Sequence, residues 1–297
     1  MIRKIFILIA VVGLSCLWSS CAKEDEMGPS IFDTNPPPRT ALDLWILQNL
    51  TIPYNINVDY RWKFIESDLT RNLTPPDEKM AEAFIKDILT KAWIEPYVDM
   101  AGIDFFNRSS PKQIYLVGST AYNSTGTRTL GTASAGRKIV MYEINEYDKR
   151  NKYRIRQYMK TIHHEFTHIV NQTVDFDPEF ELITPGAYRS DWNNATERWC
   201  RENGFISAYS SASPTEDFAE MTAIMLTTSI SEWRAKIDLV PTAAEIADNL
   251  KTTIEKSRAS LQRKEEIVVG YFKRVWNIDI YALQAKMEEA IEDIING

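Results

Sequence analysis

Residues 161–170 read Thr161-Ile162-His163-His164-Glu165-Phe166-Thr167-His168-Ile169-Val170. On an α-helix, side chains four apart lie one above the other, so the imidazoles of His164 and His168 share a face and can grip one ion. Glu165 is turned about 100° from His164. That direction suits a base beside the ion rather than a ligand to it. The chain has three histidines, and all of them lie in this stretch. His163 points away from the shared face, where packing or support of a neighbour suits it better than ligation.

The spacing His164-Glu165-x-x-His168 is that of H-E-x-x-H zinc hydrolases. The helix that carries it is predicted over Asn151 to about Thr173, with Ile155, Met159, Ile162, Phe166, Ile169 and Thr173 as its inner stripe. A catalytic zinc takes three protein ligands and keeps one position open. No further histidine exists, so the third ligand is a carboxylate on another element. Ser213-Pro214-Thr215-Glu216 opens a second helix running to about Thr228, with proline in its first turn. Glu216 and Glu220 share a face of that helix. Ser213-x-x-Glu216 also fits a capping box, in which Glu216 turns back to the Ser213 amide. By physical argument alone, the ligand is divided between Glu216 and Glu220.

Working outward, the rest of the chain reads as α+β. Asn55 to Phe64 alternates apolar and polar residues as a strand on a half-covered sheet. Pro75-Pro76-Asp77 opens a helix to about Ile94, with Met80, Phe84, Ile88 and Lys91 or Ala92 on one stripe. Strands follow at Gln113 to Val117 and Lys138 to Ile144. The glycines at 126, 131 and 136 lack a following Lys-Ser/Thr pair, so a long turn is favoured over a phosphate loop. Segment 130–144 is positioned to hold a substrate backbone by strand addition. Asp175 to Asn203 reads as irregular and aromatic. Helices are predicted at about Thr242 to Lys256, Arg263 to Trp276 and Tyr281 to Ile295.

The N-terminus reads as a targeting segment. Arg3 and Lys4 precede an apolar core from Ile5 to Leu17, too short for a comfortable membrane span. Leu17-Trp18-Ser19-Ser20-Cys21 follows, small residues before a cysteine, so residues 1–21 are assigned as a lipoprotein signal with Cys21 as the lipidation site. Residues 22–39, acidic and then proline-rich, form a tether, and residues 40–297 form the domain. After processing at Cys21 one thiol remains, Cys200, which excludes an internal disulfide. The formal net charge of −7 argues against nucleic acid as a partner. No Gly-x-Ser-x-Gly occurs, which disfavours a serine hydrolase.

Tyr209-x6-Glu216-Asp217-Phe218-Ala219-Glu220, downstream of His164-Glu165-Phe166-Thr167-His168, resembles the catalytic half of gluzincin metallopeptidases of the lethal-factor type. The resemblance covers about 60 residues. The whole chain also resembles the zinc metallopeptidase lipoproteins of Bacteroides-type bacteria, which accompany outer-membrane nutrient import. These resemblances imply a zincin-like fold: a small mixed β-sheet, an H-E-x-x-H helix and a helical C-terminal half. They imply Zn2+ held by His164, His168 and Glu216, with Glu165 as general base and Tyr209 steadying the oxyanion. Glu220 then orients a ligating histidine. A peptide or protein substrate, a lipid anchor in the outer membrane with surface exposure as one option, and contact with an import complex are further implications. Asp217 departs from the phenylalanine of the lethal-factor pattern, which leaves substrate choice open. The rival expectation is a catalytically silent surface-binding lipoprotein with a structural metal site.

Overall fold

A computed structural model describes residues 38–122, 126, 128–134 and 137–297. The signal segment, Cys21 and most of the tether lie outside the described residues. One compact unit spans Ala41–Gly297, and its architecture is α+β.

The unit opens with helix α1 (Ala41–Ile46), which runs on through Leu47–Thr51. Strand β1 (Asn57–Asp59) follows and is shorter than the alternating pattern from 55 to 64 predicts. It is an edge strand, paired in parallel with β2 (Gln113–Leu116) alone. Beyond Asp59 side chains replace the ladder: the Tyr60 hydroxyl donates to Asp43, and the Lys63 amide donates to the Tyr115 hydroxyl. Alternation in sequence thus outlasts the strand because the chain turns away from β2, which itself runs on to Leu116 beside β6.

Asp77 caps the next helix, accepting from the amides of Lys79 and Met80. This helix, α2 (Glu78–Phe84), continues through a π-helical stretch Ile85–Ile94 into α3 (Glu95–Ala101), well past the predicted end at Ile94. Ile85, Ile88, Leu89, Ala92, Trp93 and Ile94 are all buried, so the helix is covered around much of its girth. Met80, placed on the inner stripe by periodicity, is exposed, because it lies in the first turn before the helix enters the core. A short helix α4 (Ile103–Ser109) leads into β2.

The main sheet has the order β1-β2-β6-β5, where β5 is Gly131–Ser134 and β6 is Lys138–Met141. β2 and β6 are parallel, while β5 and β6 are antiparallel. A two-stranded ribbon, β3 (Ala121–Tyr122) with β4 (Arg128–Thr129), stands apart from it. β6 stops before the predicted Ile144 because Glu143 takes a left-handed conformation, φ 65°, and its carbonyl accepts from the Tyr158 hydroxyl.

Helix α5 (Lys152–Thr173) carries the histidines, capped by Asn151. Five of its six predicted inner residues are buried; Thr173, at the frayed end, is exposed. Trp93, Tyr97, Phe105, Phe106 and Phe166 form a cluster of ring contacts on the side of α5 away from its metal face. The aromatic stretch after Asp175 holds two short 3-10 helices, Pro178–Leu182 and Trp192–Asn194, and one α-helix, α6 (Glu197–Asn203). Then come α7 (Pro214–Thr227), α8 (Ile230–Ile237), α9 (Ala243–Ala247), α10 (Lys251–Trp276) and α11 (Ile280–Asn296). α10 is one continuous helix where the sequence suggested two with a break near 257–262. Buried Ser257 and Leu261 carry it through. Among the described residues no helix is long and apolar enough to cross a membrane.

Candidate metal centre

α5 and α7 pack against each other and bring the two halves of the motif together. Three atoms converge. His164 Nε2 lies 2.9 Å from Glu216 Oε2 and 3.1 Å from His168 Nε2, and His168 Nε2 lies 3.3 Å from Glu216 Oε2. Among the described residues these three side chains form the group with metal-ligand geometry. Ligand atoms in a tetrahedral array about zinc sit about 2.0–2.2 Å from the ion and hence roughly 3.3–3.5 Å apart. The observed triangle is slightly tighter than that.

The chemistry of the donors gives a second test of fit. Glu220 Oε1 lies 3.1 Å from His164 Nδ1, so that nitrogen carries the proton and donates it. His164 Nε2 is then a lone pair facing a carboxylate oxygen at 2.9 Å. Two acceptors at that distance repel unless a proton or a cation lies between them. Burial alone would lower the His164 pKa, yet hydrogen bonds to Glu216 and Glu220 raise it to about 9. The donor set thus draws positive charge, proton or cation, to the point between His164 Nε2 and Glu216 Oε2. Burial works against charge on Glu216, but the two imidazoles outweigh it and hold the carboxyl well below its usual range. The residues therefore fit zinc.

Glu216 and Glu220 are separated in space by one helical turn and in partners. The Ser213 hydroxyl accepts from the Glu216 amide at 3.2 Å, while the Glu216 carboxylate turns to the imidazoles. Only half of the capping box is made. Glu220 is 2% exposed and lies under His164. Its Oε2 accepts from Ser207 Oγ at 2.6 Å and meets Lys160 Nζ at 2.9 Å. Burial opposes its charge, but the His164 hydrogen bond and the Lys160 ammonium keep its pKa down at about 2. Neither Lys160 nor Ser207 was foreseen. Lys160 is four residues before His164 and shares its face, a usable signal; nothing in the sequence marks Ser207.

Glu165 is half-buried and lines the same cleft as the three converging residues. Tyr209 sits in a single 3-10 turn, its ring 5.5 Å from that of His164 and 4.7 Å, edge-on, from Trp192. Burial and the Glu216 charge push its phenol pKa up, so the hydroxyl remains a donor at neutral pH. His163 is fully buried on the opposite side of α5, with Nδ1 3.4 Å from the Tyr97 hydroxyl, and burial lowers its pKa to about 3. It stays a neutral packing residue.

The cleft has a volume of about 1100 Å3. The edge strand β5 forms one wall. A Cβ on Gly131 would fall 2.3 Å from the Thr161 methyl, so the strand lies flush on α5 one turn before His164. Only a residue without a side chain permits that approach.

The family described as "putative zinc-binding metallo-peptidase" matches residues 35–281. A crystal structure of the same description from Bacteroides caccae ATCC 43185 is similar to this chain at 33% identity. Its TM-score is 0.71, with 90% of this chain and 98% of that one covered. No functionally curated protein matches the sequence. The three-donor centre and this match along most of the chain agree, and the chain belongs to the zinc-binding metallo-peptidase family.

Proposed function

We propose that the chain is a zinc-dependent peptidase whose metal is held by His164, His168 and Glu216, and that it works on peptides laid along β5. The observation that carries this reading is the Glu220–His164–Glu216 line, in which a buried carboxylate fixes the imidazole so that its free nitrogen faces a second carboxylate. Zinc, when bound, supplies Lewis acidity and lowers the pKa of a water to about 7. The chain's own residues do the rest. Glu165 accepts the proton of the attacking water and returns it to the leaving amine. The Tyr209 hydroxyl donates to the substrate carbonyl oxygen as charge builds there. Among the described residues β5 is the terminal strand of the main sheet, on the cleft side, and offers backbone groups to an extended peptide. Glu220, Lys160 and Ser207 hold His164 in place.

The same proposal includes the N-terminal reading: Cys21 is lipidated, the tether ends near residue 40, and the domain sits at the outer membrane near an import complex. The order of basic, apolar and small residues before Cys21 supports it.

The test is zinc content and hydrolysis of a peptide library, for wild type and Glu165→Gln. We expect one zinc per chain in both, and a 100- to 10,000-fold loss of turnover in the variant, the usual range for removing a general base. A zinc-loaded wild type that cleaves nothing, with Glu165→Gln indistinguishable from it, would leave the silent binding lipoprotein as the better reading.

A further inference from the structure

Arg61-Trp62-Lys63-Phe64-Ile65-Glu66-Ser67-Asp68-Leu69-Thr70-Arg71 leaves the sheet after β1 and carries large apolar side chains into solvent. Ile65 is 91% exposed, Phe64 71%, Leu69 59% and Trp62 40%. Fraying does not explain this, because polar ties pin the segment from beneath. The Lys63 amide donates to the Tyr115 hydroxyl, Ser67 Oγ lies 2.8 Å from that same hydroxyl, and Lys138 Nζ donates to Glu66. The backbone is fastened, and the apolar groups are what it presents.

We propose that this turn seats the domain on a lipid surface, with Phe64 and Ile65 entering the headgroup region and Trp62 at its boundary. Composition and position favour lipid over a protein partner. Aromatic and branched side chains interleaved with Arg61, Lys63 and Arg71 have the composition of interfacial segments. Each of these cations is held by a carboxylate, Arg61 by Asp43, Lys63 by Asp59 and Arg71 by Asp68, so the turn is locally neutral and the apolar side chains are what it presents. The four large apolar side chains all lie within residues 62–69.

Position agrees. Asp43, in the first turn of the domain, accepts from Tyr60 and Arg61 at 2.9 and 2.7 Å. The turn therefore emerges beside the point where the tether enters. It departs from β1 and crosses the sheet face at Tyr115 of β2 and Lys138 of β6. The inference rests on the lipid-anchor part of the proposed function, not on the peptidase part. One lipid chain gives only marginal membrane binding, and stable attachment takes a second contact.

The experiment uses the mature chain with Cys21→Ser, so that no lipid contributes, and vesicles of phosphatidylethanolamine with phosphatidylglycerol. Co-sedimentation is read for this chain and for the same chain with Phe64→Ser and Ile65→Ser. We expect measurable partitioning, reduced about ten-fold or more in the double variant, with zinc content and melting temperature unchanged. Equal partitioning of both proteins, or none by either, overturns the proposal. So does a concentration-dependent dimer that the double substitution dissolves, since the turn would then serve a second copy. Failure here leaves zinc content and peptide cleavage untouched. Failure of the anchor reading shows separately, as absence of acyl label on Cys21 in the native host.

Discussion

Glu220 Oε1 and His164 Nδ1 stand 3.1 Å apart, and that one contact decides which nitrogen of His164 faces the metal position. Partners of this kind set ligand tautomer and basicity, and their loss costs 10- to 100-fold in metal affinity. Glu220→Ala is expected to weaken zinc binding by that factor while the ligand set stays complete. Competition against a chelator measures it. An unchanged affinity would mean that the helix backbone alone orients the imidazole.

Glu216 is expected to matter to metal and not to its helix. Ser213 keeps its hydrogen bond to the residue 216 amide whatever the side chain. Glu216→Ala should therefore abolish stable zinc binding yet lower metal-free stability by no more than about 1.5–3 kcal/mol, the range for one hydrogen bond to a charged group. Denaturant titration of the metal-free protein checks the second half. A large destabilisation with zinc retained would show a capping residue instead.

Lys264 and Asp217 form an ion pair at 2.6 Å with both side chains at 0% exposure. Lys264 also donates to the Gly204 carbonyl, and Tyr188 to Asp217. Lys264→Met leaves a buried carboxylate with one phenol as its support, and breaking such a pair costs about 3–5 kcal/mol. Adding Asp217→Leu removes the stranded charge and should recover most of the loss. Chemical denaturation of wild type, single and double variants gives the comparison. A double variant as unstable as the single one would place the cost in packing.

Acid sensitivity has a specific contributor in Glu245. It accepts two hydrogen bonds from Arg201 and one from the Thr242 amide, completing a capping box. The Arg201 hydrogen bond, opposed by burial, lowers its pKa to about 2. A carboxylate with a lowered folded-state pKa stabilises fully above its unfolded value, and that stability is lost as pH falls through the folded value. The window runs from about 4.5, the ordinary glutamate value, down to about 2. Glu245→Gln should lower the melting temperature at pH 7 and flatten its fall across that window. Parallel curves for the two proteins would assign acid lability elsewhere.

Much of the centre was legible because it is local. Helix α5 begins one residue from its predicted start, since Asn151 and a 3.6-residue stripe are both written in sequence. What the residues left divided was Glu216 against Glu220. Both lie on one face of α7, and only the approach of α5 separates their partners. Lys160 was within reach through its four-residue spacing from His164, whereas Ser207 meets Glu220 through tertiary packing that no spacing announces. The alternation of 55–64 misled for the complementary reason: a strand lasts only where the chain stays paired, and after Asp59 it leaves the β2 ladder for side-chain ties to Asp43 and Tyr115. The continuity of α10 and the reach of the 78–101 helix came from burial on several sides, which a one-stripe reading underestimates.

Gly131 touches Thr161 where any other residue would collide. The missing side chain works as a gauge. It fixes how closely the strand that would hold a peptide backbone lies against the helix that bears the donor atoms. Every substrate, whatever its side chains, would meet that same spacing between strand and donors. An alanine at 131 would shift the wall rather than fill a pocket, so its penalty should fall alike on all sequences. That spacing would thus be set by an atom that is not there, while selectivity is left to the residues farther along the cleft.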